Sequence, residues 1–294
     1  MSYYQIKHNP IVRALSFPAI FAARYWRNKV EQPRESIYIN LCKILQDDPV
    51  IFLQEFQGKF FVDVRSDIFR RILLNGEYEP KVVESCIQYT KKNSDVIDIG
   101  ANIGFFTTLF ARIIDDSQKV LSVEPTKTAL ARLHKNIRIN SVEEKVVIFE
   151  GVVSDKLGIE KISVIEGKEE YSSIGEINHP SVANMNRLQY EVESVTVDEL
   201  VKRYSLEPGL IKVDAEGAEL SIFNGCRKTI SDHRPIILSE VSDLLLKGKG
   251  ATSKDLLEFF ECFGYTVSNL LFPNTPLGIS VSDTMLCIPK EIYG

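Results

Sequence analysis

From residue 94 onward the chain alternates two hydrophobic patterns. Short, continuous apolar runs at Val96–Ile99, Val120–Val123, Val146–Glu150, Leu210–Asp214 and Ile236–Glu240 have the length and composition of buried strands. Between them, 103–114, 127–140, 218–230 and 253–263 place apolar residues at helical spacing. Tyr265–Leu270 and Val281–Ile288 add two strands near the end. Apolar strands separated by helices imply βαβ units, so the fold class is α/β, a doubly wound and mostly parallel sheet. Before residue 93 the pattern differs. Val50–Phe56 and Lys59–Val64 flank Gln57-Gly58 as a strand pair, 67–75 reads as a helix closed by Asn75-Gly76, and Pro80 opens another helix over 81–92. The expected organisation is an N-terminal basic arm with a small α+β extension over 1–92, followed by the main domain over 93–294. Residues 151–200 interrupt that domain with strands at Lys161–Ile165 and Gln189–Val195 and a polar stretch between them. A connection this long is expected to cover a ligand at the carboxyl edge of the sheet.

Composition narrows the class. The 294 residues are 44% hydrophobic and 26% charged, with a formal net charge of −5, so a broad basic footprint for nucleic acid is not expected. The five cysteines lie far apart without a C-x-x-C pair, which reads as free thiols in a reducing, cytoplasmic compartment. No run of about 20 apolar residues occurs, so no spanning helix is expected. Residues 1–30 carry Lys7, Arg13, Arg24, Arg27 and Lys29 among Phe17, Phe21, Tyr25 and Trp26, with no acid. Such an arm suits peripheral contact with an anionic membrane face, or packing on its own protein or on a second subunit of a homo-oligomer.

Candidate chemistry starts at Asp95-Val-Ile-Asp-Ile-Gly-Ala-Asn-Ile-Gly-Phe-Phe-Thr107, where a strand turns at Gly100 and enters a helix near Gly104. Glycines there admit close backbone approach, and the new helix presents unpaired N–H groups. The spacing is G-x-x-x-G rather than the G-x-G-x-x-G of a pyrophosphate site. Asp98 would repel a phosphate and attract the ammonium of a methionine moiety, which favours S-adenosylmethionine over NAD. The next strand ends in Glu124-Pro125, a carboxylate placed for ribose hydroxyls. Beyond the third strand, Val152 or Val153 would face an adenine ring, with Ser154 or Asp155 near its amine. Ala101 and Asn102 complete the cofactor turn.

The fourth strand reads Leu210-Ile-Lys-Val-Asp-Ala-Glu-Gly-Ala-Glu219. Lys212 and Asp214 lie on one face of an otherwise apolar strand, where unpaired charge is costly. A Lys212–carboxylate pair is one reading, and Asp214 as a substrate-hydroxyl acceptor or metal ligand is the other. Glu216 and Glu219 stand at the start of the following helix, where its dipole favours them. Glu240 ends the next strand at the same edge. Were a metal used, Asp214 with Glu240 would suit a hard cation such as Mg2+. In the insertion, Tyr171, Ser172, Ser173 and His179 are candidates for substrate contact.

These segments together resemble the FkbM family of methyltransferases. The resemblance rests on GEYEP (76–80), VIDIGANIGFFT (96–107), VEP (123–125), NIRIN (136–140), VTVDEL (195–200), IKVDAEGAEL (211–220), LSEV (238–241), FGYTV (263–267) and MLCIPK (285–290). It implies a seven-stranded, Rossmann-like class I methyltransferase sheet and oxygen methylation of a sugar, glycan or natural-product small molecule. It places Asp98, Gly100, Asn102, Gly104 and Glu124 on the cofactor, and Asp214, Glu216 and Glu219 at the reaction centre. Competing readings are methylation of nitrogen and a cofactor-binding but inactive partner module. Asp-Ala-Glu-Gly stands where an amine-methylating enzyme would carry Asn-Pro-Pro-Tyr.

Overall fold

The computed structural model describes residues 36–44, 48–165, 168, 171–175, 185–273, 275–277 and 283–293. The basic arm over 1–30 and His179 lie outside the described residues. A helix, α1, covers 36–44. Strands β1 (Val50–Leu53) and β2 (Gly58–Phe61) form an antiparallel hairpin. Helix α2 (Asp67–Asn75) is capped by Ser66, whose hydroxyl accepts from the Phe69 N–H, and ends on Gly76 at φ 83°. Helix α3 (Pro80–Tyr89) starts on proline, where a missing N–H costs nothing.

The main domain then runs β3 (Asp95–Ile99), α4 (Phe105–Ile113), β4 (Val120–Val123), α5 (Lys127–Ile139), β5 (Val146–Phe149), β6 (Gly151–Val153), β7 (Gly158–Val164), β8 (Ser173–Ile174) and β9 (Leu188–Val195). It continues with α6 (Val197–Tyr204), β10 (Pro208–Val213), α7 (Glu219–Asn224), α8 (Arg227–His233), β11 (Ile236–Val241), α9 (Asp243–Gly248), α10 (Ser253–Cys262), β12 (Tyr265–Asn269) and β13 (Asp283–Pro289). A seven-stranded sheet is ordered β12-β13-β11-β10-β3-β4-β5, and only β13 runs against its neighbours. The strand order reverses between β3 and β10, the switch point at which open α/β sheets bind ligands. The insertion forms a second sheet, β6-β9-β7-β8, built around the expected pairing of β7 with β9.

Alternation along the strands divides the core. Val96, Leu210 and Leu238 pack on one face with Phe56, Phe60, Phe105 and Phe110, so the extension and α4 share a single core. Ile97, Ile99, Ile211, Val213 and Ile237 pack on the other face with Phe223, Phe259 and Phe260. The extension is also tied down by polar contacts. Asn136 accepts from the Phe61 N–H (2.7 Å) and donates to the Ile103 carbonyl (2.7 Å). Asn140 accepts from the Lys59 N–H (3.0 Å) and donates to the Lys59 carbonyl (2.7 Å). The NIRIN segment thereby satisfies the outer edge of β2, which would otherwise present unpaired backbone groups.

One expected helix is two. The stretch 218–230 breaks between α7 and α8 at Gly225, where the Ser154 carbonyl passes so close that a Cβ would overlap it. Among the described residues, no helix is long and apolar enough to cross a membrane.

Candidate functional site

A cavity of about 360 Å3 opens at the carboxyl ends of β3, β4, β6, β10 and β11. Its floor is the turn after β3. The Gly100 and Ala101 N–H groups both donate to the Val123 carbonyl (3.0 Å each), and the Asp214 N–H donates to the Ile99 carbonyl (3.0 Å). The turn is thus fixed to both neighbouring strands. Gly100 sits at φ 76°, and a Cβ there would overlap the Asp214 carbonyl oxygen, so glycine is required by the close passage of β10.

Glu124 forms one wall and is 4% exposed. Its Oε2 accepts from the Asn102 N–H (2.8 Å), and its Oε1 accepts from the Thr126 N–H (2.8 Å) and hydroxyl (2.5 Å). Asn102 is left-handed at φ 49°, which turns its N–H onto this carboxylate. Pro125, Val152 and Val153 extend the wall, with Ile162 and Ile174 of the insertion closing an apolar slot. Tyr171, Ser172 and Ser173 also line the cavity. Tyr171 donates to Asp67 Oδ2 (2.7 Å) and Lys168 pairs with Asp67 Oδ1 (2.6 Å), so the insertion is latched onto α2 across the opening. Burial works against ionisation of Asp67, but the bonds from Lys168 and Tyr171 outweigh it and hold the carboxyl below its ordinary range.

Opposite Glu124 lies a charged cluster built on the strand ladder. Lys212 pairs in register with Asp98 across β10 and β3, and Asp98 with Ser122 across β3 and β4. Lys212 is buried, 3.8 Å from Asp214 Oδ2, with its ammonium 4.5 Å from the centre of the Phe106 ring. Burial disfavours its charge, yet Asp214, Asp98 and Glu79 more than compensate and keep it protonated. Asp214, Glu216 and Glu240 line the cavity beside it.

Asp98, Gly104 and Glu219, expected on the cofactor or at the reaction centre, line no wall. Asp98 is fully buried beneath the floor, with Oδ2 accepting from the Thr107 hydroxyl (2.7 Å) and Oδ1 bonded to no protein atom. Burial raises its carboxyl above the usual range against the opposing pull of Lys212. Its place is under the turn, as the counter-charge of Lys212, because the strand alternation that buries Val96 buries Asp98 on the same face. Gly104 is at φ 88°, and a Cβ there would run into the Leu133 side chain. That glycine serves the packing of α4 on α5. Glu219 is 2% exposed and folds back to accept from the Gly217 N–H (3.1 Å), closing its own turn. Burial pushes its carboxyl up to about 7, with Asp214 adding to the rise and nearby backbone N–H groups opposing it.

Ser154 and Asp155, expected near an adenine amine, also point elsewhere. The Ser154 hydroxyl meets that of Ser194 in β9 (2.9 Å), and Asp155 accepts from the Ser221 hydroxyl in α7 (3.2 Å). Among the described residues, no group of three or more His, Cys, Asp or Glu is placed to hold a metal ion.

Five residues of the extension that line the cavity, Asp67, Ile68, Arg71, Tyr78 and Glu79, are absent from the expected site. Arg71, Tyr78 and Glu79 line the cavity on the side of Asp214. Glu79 is left-handed at φ 49° immediately before Pro80, a costly conformation for a non-glycine residue. Burial raises its carboxyl above the ordinary range and Asp214 adds to this, with Lys212, Tyr78 and Arg71 opposing. With Asn102 and Glu216, also at φ 49°, it makes three strained backbones around one cavity. The signal in the sequence was slight: an acid before a helix-opening proline within GEYEP.

A doubly wound sheet carrying a glycine turn, a strand-end carboxylate and an acid-rich fourth strand about one cavity defines a Rossmann-like class I methyltransferase. The chain belongs to the FkbM methyltransferase family: the Methyltransferase FkbM domain matches residues 98–267. Similar solved structures include the methyltransferase FkbM from Methylobacillus flagellatus KT (18% identity, 67% of this chain and 43% of that one, TM-score 0.44). The O-methyltransferase from Bacillus cereus in complex with SAH is similar at 11% identity, over 87% of this chain and 97% of that one, with a TM-score of 0.44. TYW2 from M. jannaschii in complex with AdoMet is similar at 12% identity over 83% and 85%, with a TM-score of 0.40. The chain thus spans less than half of the Methylobacillus protein's length. Curated proteins give no match.

Proposed function

We propose that the protein is an S-adenosylmethionine-dependent methyltransferase acting on a hydroxyl oxygen of a small molecule, such as a sugar or natural product. The carrying observation is that Glu124, the Gly100–Asn102 turn and Asp214 share one cavity, with an apolar slot on one side and titratable groups on the other. The donor set suits the cofactor. Glu124, fixed by three protein donors, is an acceptor for ribose hydroxyls, and Val152, Val153 and Ile162 suit the adenine ring.

When bound, the cofactor supplies an electrophilic methyl group. The chain's own residues then have two tasks: holding the acceptor oxygen in line and accepting its proton as the new bond forms. Asp214 is held by Lys212, and Glu79 stands beside it with a raised affinity for a proton. We assign proton acceptance to this pair, with Glu79 as the residue that takes the proton and Lys212 as the positioning charge. Tyr171 and its latch to Asp67 exclude water from the reacting centre.

Isothermal titration with S-adenosylhomocysteine tests the cofactor half. Binding should weaken roughly 10- to 150-fold in Glu124→Gln, since a hydrogen bond to a charged group contributes about 1.5–3 kcal/mol. Unchanged affinity, or no binding to the native protein, would refute the reading.

A further inference from the structure

The β1–β2 hairpin buries one face and leaves the other open. Ile51, Leu53 and Phe60 pack into the core, so alternation turns Val50, Phe52, Lys59 and Phe61 outward. Val50 lies opposite Phe61 and Phe52 opposite Lys59, which makes two cross-strand rows. Val50 is 45% and Phe52 63% exposed. Helix α5 runs along the outer edge of β2, held there by Asn136 and Asn140. It adds Lys135, whose ammonium stands 5.6 Å from the centre of the Phe61 ring. Ile139 lies one turn beyond Lys135 on the same helix face and is 37% exposed, and Arg138 beside it is also exposed. The acids nearest in sequence are engaged elsewhere: Asp48 with Arg132 (2.9 Å) and Glu55 with the Tyr78 N–H (2.9 Å).

We propose that this face docks on an anionic lipid bilayer. Val50, Phe52 and Ile139 enter the headgroup region, while Lys59, Lys135 and Arg138 meet the lipid phosphates. The proposal is independent of the reading of the cavity. The basic arm over 1–30 precedes α1, and α1 packs on the same core as the hairpin through Tyr38, Leu41 and Cys42. Arm and face therefore belong to one lobe. Helix α1 itself leaves Ile37 and Ile44, seven residues apart, 52% and 73% exposed.

Charge selects the occupant. Residues 1–30 hold five Lys or Arg and no acid, so a face bearing Lys59, Lys135 and Arg138 repels that arm. A second copy of the face would set the same three cations against one another. An anionic surface attracts both arm and face. A nucleic acid would use the cations but give Val50 and Ile139 no role, whereas a bilayer takes apolar and basic groups together. The chain as a whole carries a net charge of −5, so the attraction is local to this lobe and orients the molecule.

The test is sedimentation of the full chain with sucrose-loaded vesicles at about 0.1 M salt, comparing phosphatidylcholine alone with phosphatidylcholine containing about 30% phosphatidylglycerol. The native protein should bind the anionic vesicles at least about tenfold more tightly than the neutral ones, and about 1 M salt should release it. Phe52→Ser combined with Ile139→Ser should weaken binding at least about tenfold, because two inserting apolar side chains are lost. Lys59→Gln combined with Lys135→Gln should weaken it about 20- to 30-fold, each cation near an anionic surface contributing roughly fivefold. All four positions are exposed, so thermal midpoints should stay within about 2 °C of the native value. No binding to either vesicle, equal binding to both, or native binding in both double variants would each overturn the proposal. So would a native dimer that the double variants lose in sedimentation equilibrium, since the face would then belong to a second copy.

Discussion

Replacing Glu219 with glutamine should change the pH dependence of stability in a calculable way. In the folded chain this carboxyl is buried in its own turn and its pKa is pushed from 4.5 to about 7. Between those values the folded state holds a proton that the unfolded state has released. Its contribution to stability is therefore fully present below about pH 4.5 and is lost as pH rises through about 7. At 1.36 kcal/mol per pH unit, the native protein loses about 3 kcal/mol from this one group over that interval. Glutamine keeps an oxygen for the Gly217 N–H but cannot ionise, so any packing cost it carries is independent of pH. Urea unfolding of both proteins, from about pH 5 to about pH 8.5, gives the difference directly, and titrations common to both cancel. The variant should gain on the native protein by about 3 kcal/mol across the range, with most of the change complete near pH 7. A difference that stays flat would show that Glu219 ionises normally and that the turn is open to solvent.

Gly100→Ala should lower stability by about 2–5 kcal/mol, the sum of a left-handed alanine and an overlap with the Asp214 carbonyl that only backbone movement relieves. Thermal unfolding should fall roughly 5–15 °C and S-adenosylhomocysteine binding should be lost, whereas Gly76→Ala, at φ 83° with open space around it, should cost only about 1–2 kcal/mol. An equal effect of the two would remove the strand-to-turn contact from the account. Glu79→Gln should cut turnover by about 10²–10⁴ and abolish the acidic limb of the rate profile while cofactor affinity holds. That limb should lie above the ordinary carboxylate range, as burial and Asp214 raise this group. A fall of less than tenfold would move the proton-accepting role to Asp214.

Much of this arrangement is written locally in the chain. Asn75-Gly76 ends a helix because Gly76 can turn left-handed, and that stop needs no tertiary context. Lys212 and Asp214 stand out in the sequence because an apolar strand does not carry charge without partners, and the fold supplies those partners. What was not legible depends on contacts distant in sequence. The break falls at Gly225, beside the Ser154 carbonyl, and no periodicity within 218–230 announces it. Gly104 belongs to the glycine pattern of a ligand turn, yet Leu133 explains it. Asp98 was assigned to the ligand from its place two residues before Gly100, whereas strand alternation turns it under the floor to face Lys212. Short elements such as α9 (Asp243–Gly248) carry too few apolar positions for a period to emerge.

The family match itself separates what is shared from what belongs to this chain. It covers 98–267, which includes the Gly100 turn, Glu124, the Val152–Val153 slot, Asp214 and Glu240. Arg71, Tyr78, Glu79 and Lys81 precede that span, and Leu271, Phe272 and Thr284 follow it, yet the fold brings both flanks to the same side of the charged cluster. The common core of the extension and α4 is what makes this juxtaposition rigid: Phe56 and Phe60 pack on Phe105 with ring centres 5.3 and 4.6 Å away, directly behind α2 and α3. The Gly100 turn, Glu124 and Asp214 thus lie within the matched span, whereas Arg71, Tyr78 and Glu79, which line the same cavity, come from outside it.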